Sequence, residues 1–185
     1  MLDIFAPFLL IILFPSLILT LAQLIYSIMK VIFLDRDGTL IWEPPGTQQV
    51  DSLEKLRILP GMCSNLRGLL KRGFKLVMVT NQDGLGTASF PYCDFIEPQK
   101  ELMRRLKSQG VSFKAVFVSP DMPGSRSATR KPATGLVNKF IRQNQIDLEN
   151  SWVIGDRESD RRFAKNLGAK FLKVQTNKKF NAENI

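Results

Sequence analysis

Phe33-Leu34-Asp35-Arg36-Asp37-Gly38-Thr39-Leu40 is the stretch on which the reading of this chain turns. With Val31 and Ile32 before it, it sets two carboxylates, Asp35 and Asp37, at the end of a short apolar strand, and the backbone then turns at Gly38. Two such neighbours repel each other unless a cation sits between them. The pair therefore points to a hard divalent metal with oxygen ligands, Mg²⁺ being the usual choice where phosphate is also bound. One Asp is placed to act as nucleophile and the other as general acid/base. The same residues also read as a hairpin turned by Asp-Gly, with no chemistry at all. The rest of the chain has to decide between them.

A chain of 185 residues suits one domain with a single core and leaves no comfortable room for a second catalytic domain. Its 26 Lys+Arg against 17 Asp+Glu give a formal charge of +9, basic enough to raise the question of nucleic acid or anionic ligands. The cations are scattered, however (Arg104, Arg105 and Lys107; Arg161, Arg162 and Lys165; Lys178 and Lys179), at spacings typical of solvated helix faces. No basic run interleaved with aromatics is present, so a small phosphorylated metabolite is the expected partner and nucleic acid is not. Cys63 and Cys93 give neither a disulfide framework nor a metal cluster, and both are expected to be reduced, as in the cytosol. There is no histidine. Catalysis must therefore run on carboxylates, Lys, Arg and hydroxyls, without imidazole chemistry or a histidine-ligated metal.

Residues 4–29 carry no charge and are long and apolar enough to span a bilayer. One reading is a membrane anchor with the basic body on the cytoplasmic side. Against it, the strand that delivers Asp35 begins at about Val31, leaving no linker between a bilayer and a sheet strand that must be covered on both faces. The favoured expectation is that residues 1–28 are an extension upstream of a true start at Met29, that residues 29–176 form a cytoplasmic catalytic domain, and that residues 177–185 are a loosely held polar tail. Only a genuine segment 1–28 would make the protein inner-membrane anchored.

From Met29 onward, strand and helix patterns alternate, which predicts an α/β fold: a Rossmann-like parallel sheet with helices on both faces and little or no cap domain. Apolar runs at Val31–Leu34, Lys75–Thr80, Ala115–Val118, Trp152–Gly155 and Phe171–Val174 read as buried strands. Amphipathic segments run from Pro60-Gly61 to about Arg72, over Phe95–Ser108, over Pro132–Gln143 and over Glu158–Leu167, with Gly73, Gly110 and Gly168 as stops. In open α/β sheets, ligands bind beyond the carboxyl ends of the strands. The first strand ends at Asp35, the second in Thr80-Asn81 and the fourth in Gly155-Asp156, with Asp160 following. The third feeds a loop to Arg130-Lys131-Pro132, the proline being expected to start a helix and the lysine to lie near the site. Each element has a dull explanation as turn, cap or solvated pair. Their joint occurrence at strand ends, in this order, does not.

The elements Asp35-Arg-Asp-Gly-Thr39, Thr80-Asn81, Lys131 and Gly155-Asp-Arg-Glu-Ser-Asp160 resemble the four motifs of the haloacid dehalogenase superfamily of phosphohydrolases. Ile41-Trp-Glu-Pro-Pro45, Val79-Thr-Asn-Gln-Asp-Gly-Leu-Gly-Thr87 with Ser89-Phe-Pro91, and Arg130-Lys-Pro132 bring the chain closer to the histidinol-phosphatase domains of histidine biosynthesis, over about Met29 to Val174. The resemblance implies Mg²⁺-dependent hydrolysis of L-histidinol phosphate. Asp35 would be the nucleophile forming an aspartyl-phosphate, and Asp37 the general acid/base. Asp35, Asp156 and the Asp37 backbone carbonyl would hold Mg²⁺, and Thr80, Asn81 and Lys131 would bind phosphate. A same-fold phosphatase acting on another small phosphate, such as D-glycero-D-manno-heptose 1,7-bisphosphate, is the alternative; a degenerate, non-catalytic domain is the second. The family's loop after the third strand usually binds zinc through Cys-x-His and Cys-x-Cys. Here those positions are Ser119, Asp121, Ser127 and Thr129, and hydroxyls do not replace thiolates at a closed zinc site. No zinc is expected, and the loop must be ordered by other contacts or be mobile.

Overall fold

The computed structural model describes residues 28–185. The chain enters the sheet at Met29, whose N–H donates to the Gln145 carbonyl (3.0 Å) and whose carbonyl accepts from the Asp147 N–H (3.0 Å). Five strands follow: β1 (Val31–Leu34), β2 (Lys75–Asn81), β3 (Phe113–Ser119), β4 (Trp152–Gly155) and β5 (Lys170–Lys173). They form one sheet of order β3-β2-β1-β4-β5 in which every pairing is parallel. The helices between them are α1 (Met62–Lys71), α2 (Tyr92–Ser108), α3 (Gly135–Asn144) and α4 (Glu158–Leu167). The alternation predicted from sequence is thus observed, with ends moved by a few residues.

β1 occupies the centre because it is apolar on both sides. Side chains alternate across a strand, so Ile32 and Leu34 face one layer and Val31 and Phe33 the other, all four buried. The first layer joins Leu76, Met78 and Ile154 to Met62, Leu66 and Leu69 of α1 and Leu102 and Leu106 of α2. The second joins Val77, Val79 and Val153 to Val137 of α3 and Phe163, Ala164 and Leu167 of α4, with Phe163 edge-on to Phe33. Burying each such large side chain is worth about 1.5–3 kcal/mol, so both layers stabilise the strand that carries Asp35. The strand order reverses at β1, which β2 flanks on one side and β4 on the other, and the crevice at their carboxyl ends is where such sheets bind ligands.

Two expectations need correction. Pro132 does not open a helix: the Ala133 N–H closes a turn onto the Arg130 carbonyl (2.8 Å), and α3 starts only at Gly135. Gly135 is drawn against the Ala128 carbonyl, which accepts its N–H at 2.9 Å; a Cβ there would meet the Ala128 oxygen at 2.4 Å. Residues 177–185 are also no loose tail. Phe180 and Ala182 are buried in the first core layer, Asn65 and Arg72 donate to their carbonyls, and Asn177 accepts from the Glu43 N–H (2.7 Å). Apart from Ile28 and Met29, the apolar N-terminal segment lies outside the described residues. Among those, no helix is long and apolar enough to cross a membrane.

Candidate active site

The carboxyl ends of β1, β2 and β4, with the loop after β3, border a small cleft of about 80 Å³ lined by Asp35, Asp37, Thr80, Asn81 and Lys131, among others. Asp35 leaves β1 with its N–H donating to the Ile154 carbonyl (3.0 Å), which fixes it beside β4. The chain then curls back, the Leu40 and Ile41 N–H groups both donating to the Arg36 carbonyl (2.8 and 3.0 Å). Gly38 makes this curl possible. Its φ is +75°, and a Cβ would lie 2.7 Å from Oδ2 of Asp156, so both the backbone and the close approach require glycine.

Lys131 lies at the middle of the site, almost fully buried. Its Nζ donates to Asp35 Oδ1 (2.6 Å) and to Asp160 Oδ1 (2.6 Å). Burial pulls the ammonium pKa down, but the charges of Asp160 and Asp35 outweigh it and push it above its ordinary value, so the lysine is a cation at any ordinary pH. Burial pushes Asp35 up to about 7, against the pull of Lys131 and with a further push from Asp160. Lys131 is aimed by its own backbone: its N–H donates to Asn81 Oδ1 (3.0 Å) and its carbonyl accepts from Asn81 Nδ2 (3.2 Å). The Asn81 side chain, expected to face phosphate, is thus engaged with the lysine's backbone. Arg130 adds a forked ion pair to Asp83 (2.8 Å to each oxygen), tying this loop to the one after β2.

A metal fits this site on its donors. Asp35, Asp156 and Asp160 each offer a carboxylate oxygen, all within 4.8 Å of one another, an all-oxygen set that suits a hard divalent cation. Asp35 and Asp156 were expected here. Asp160 was quoted within the same motif but given no role; one turn past Asp156, it also accepts from the Arg157 N–H (3.1 Å) at the start of α4. Thr176 orients Asp156 with a 2.6 Å hydrogen bond. The Asp37 carboxylate is turned elsewhere: Arg36 Nη1 donates to its two oxygens (3.1 and 3.0 Å) and Gln82 Nε2 to Oδ2 (2.6 Å).

At the rim, Glu43 pairs with Arg157, and burial pushes the Glu43 carboxyl up to about 7, with Arg157 opposing and Asp156 and Asp37 adding to it. Both belong to stretches that carry the family resemblance, Ile41-Trp-Glu-Pro-Pro45 and Gly155-Asp-Arg-Glu-Ser-Asp160, but the motifs by themselves gave neither side chain a role. The four positions that match the family's zinc ligands come together in a different way. Asp121 Oδ2 accepts from Ser127, from Thr129 (2.5 Å) and from Ser119 (3.2 Å). Ser127 Oγ also accepts the Thr129 and Arg130 N–H groups (3.0 Å each). The loop that leads to Lys131 is thus ordered by hydroxyls around one carboxylate.

A central parallel strand ending in one carboxylate, a lysine bridging it to a second, and a third within metal-sharing distance are the arrangement that the haloacid dehalogenase resemblance implies for a phosphatase domain. A D,D-heptose 1,7-bisphosphate phosphatase from B. bronchiseptica, complexed with magnesium and phosphate, superposes with a TM-score of 0.72 at 30% identity, over 80% of this chain and 82% of that one. The chain belongs to the polynucleotide kinase 3 phosphatase family, whose profile matches residues 30–177. It is also 46% identical over 147 residues to the histidine biosynthesis bifunctional protein HisB of Bacteroides fragilis, covering 79% of this chain and 39% of that protein. Against HisB of Campylobacter jejuni subsp. doylei it is 47% identical over 144 residues, covering 78% and 41%. The chain therefore spans about two fifths of the length of these relatives.

Proposed function

We propose that this domain hydrolyses L-histidinol phosphate to L-histidinol and inorganic phosphate. The observation that carries the reading is the Lys131 ammonium held between Asp35 and Asp160 in the middle of a polar cleft, in a chain 46–47% identical to the matching part of two bifunctional histidine-biosynthesis proteins. Asp35 Oδ1 is bonded to Lys131, and among the described residues Oδ2 has no hydrogen-bond partner. In this reading Oδ2 attacks phosphorus, the bond from phosphorus to the alcohol oxygen breaks, and Asp37 gives that oxygen its proton. Asp37 then takes a proton from water, which attacks the aspartyl-phosphate and restores Asp35. Lys131 and the Thr80 hydroxyl, which line the same cleft, bind phosphoryl oxygens and so stabilise the charge spread over them in the transition state. Asp35, Asp156 and Asp160 would hold Mg²⁺, which supplies further charge neutralisation when bound.

The rim supports a small polar substrate: Glu43, Gln48, Gln49 and Asp83 surround the cleft mouth with acceptors suited to an amine or an imidazole ring. Two free cysteines and a biosynthetic reaction fit the cytoplasm. The likeness to the heptose-bisphosphate phosphatase favours a second reading, a sugar phosphate as substrate.

Phosphate release from histidinol phosphate and from a heptose 1,7-bisphosphate, with Mg²⁺ and with EDTA, separates the two. Histidinol phosphate is expected to be the better substrate, activity to vanish in EDTA, and Asp35→Asn to lower kcat by roughly 10³-fold or more. Release that survives Asp35→Asn would overturn the mechanism, and preference for the sugar would overturn the substrate.

A further inference from the structure

Asp37 is gripped from two sides by groups that the reaction does not consume. Arg36 has no exposed surface, stacks 4.9 Å from the centroid of the Phe95 ring and meets Asp37 through Nη1, while its Nε and Nη2 have no partner among the described residues. Burying a guanidinium with donors unanswered costs free energy that an exposed arginine would avoid. Gln82, only 4% exposed, spends one amide nitrogen on two bonds, to Asp37 Oδ2 (2.6 Å) and to Thr80 Oγ1 (2.8 Å). An amide nitrogen only donates. Thr80 Oγ1 therefore accepts from Gln82, and its own hydrogen must point elsewhere.

We propose that Gln82, helped by Arg36, is a positioning residue for phosphoryl transfer, setting two groups at once. It fixes the carboxyl of Asp37 for proton transfer and turns the Thr80 O–H toward the cleft that Thr80 lines, where a phosphoryl oxygen would accept it. Oδ2 of Asp37 receives both Arg36 and Gln82, whereas Oδ1 receives Arg36 alone at 3.1 Å. Oδ1 is thus the oxygen left to carry the proton that goes to the leaving alcohol. The proposal rests on the phosphatase reading above and goes beyond it in naming what aims the acid.

The test exploits the leaving group. An alkyl phosphate such as histidinol phosphate needs its departing oxygen protonated, whereas p-nitrophenyl phosphate leaves as a stable anion. Gln82→Met keeps the volume and removes the donor. On histidinol phosphate, kcat is expected to fall about 10²-fold, with KM changed by less than about threefold. On p-nitrophenyl phosphate, the first-turnover burst of nitrophenolate is expected to slow far less, because it loses only the Thr80 contact and needs no proton from Asp37, while the slower steady state drops, since water attack still needs Asp37. Arg36→Lys is expected to retain more of the alkyl-phosphate activity than Arg36→Met. Should an Arg36 variant fail to fold, Gln82→Met decides alone, its fold checked by circular dichroism. Equal loss on both substrates, burst included, would overturn the proposal. A wild type that releases phosphate from neither would overturn the phosphatase reading itself, and with it the proposal.

Discussion

Glu43 shows how a single side chain can set a pH dependence that no motif announces. Its carboxyl rises from 4.5 to about 7 in the folded protein. Between those values the unfolded chain has lost this proton and the folded chain keeps it, so stability falls as pH rises through that window, and below it the residue contributes nothing. Glu43→Gln is expected to remove this slope in EDTA, gaining of the order of 1–3 kcal/mol at neutral pH after allowance for screening of the half-exposed Arg157. Thermal melts of wild type and variant across that window check it; parallel curves would show that Glu43 titrates normally. Arg157, whose side chain is 42% exposed, can turn to water once its partner is neutral.

At the scale of elements, the loop between β3 and α3 is the segment that carries Lys131 into place. Hydrogen bonds from Ser127 and then Thr129 hold the Asp121 carboxyl below its ordinary 3.8. A lowered carboxylate stabilises above its unfolded pKa and loses that contribution as pH falls. Asp121→Ala is therefore expected to speed hydrogen exchange of residues 119–131 about tenfold or more, leaving β1 unchanged, and acidifying the wild type below 3.8 should do the same. Unchanged exchange would mean that the Arg130–Asp83 pair suffices. The strands themselves were legible from sequence as short apolar runs between glycine stops, and β1 and β4 match their expected ends; the expectation of burial holds for the inner strands but not for the edge strands β3 and β5, which lie partly open to solvent. The start of α3 was not, because a proline is compatible with the first turn of a helix and with a turn just before one. The loop's order was left open for a similar reason: hydroxyls and a carboxylate spaced along a loop show no partner until the chain folds back.

For the whole molecule, the sheet order brings groups from four distant segments into one crevice. Asp35, Asp156 and Thr80 could be named from sequence because each sits at or just beyond a strand's carboxyl end, a position that topology alone makes convergent, and Lys131 because the loop after the third strand leads to it. Asp160, Gln82 and Arg36 could not be given roles, since their parts depend on which neighbour each side chain meets. Ligation spread across the fold also predicts linkage: Mg²⁺ at about 100 times its Kd should add about 2.7 kcal/mol and raise Tm by a few degrees. Asp156→Asn should abolish that rise, and a variant that kept it would place the cation elsewhere. Lys131 gives the crevice one more property. Its ammonium already answers Asp35 and Asp160 from within the protein, so a cation entering among Asp35, Asp156 and Asp160 would have to share those carboxylates with a built-in counterion.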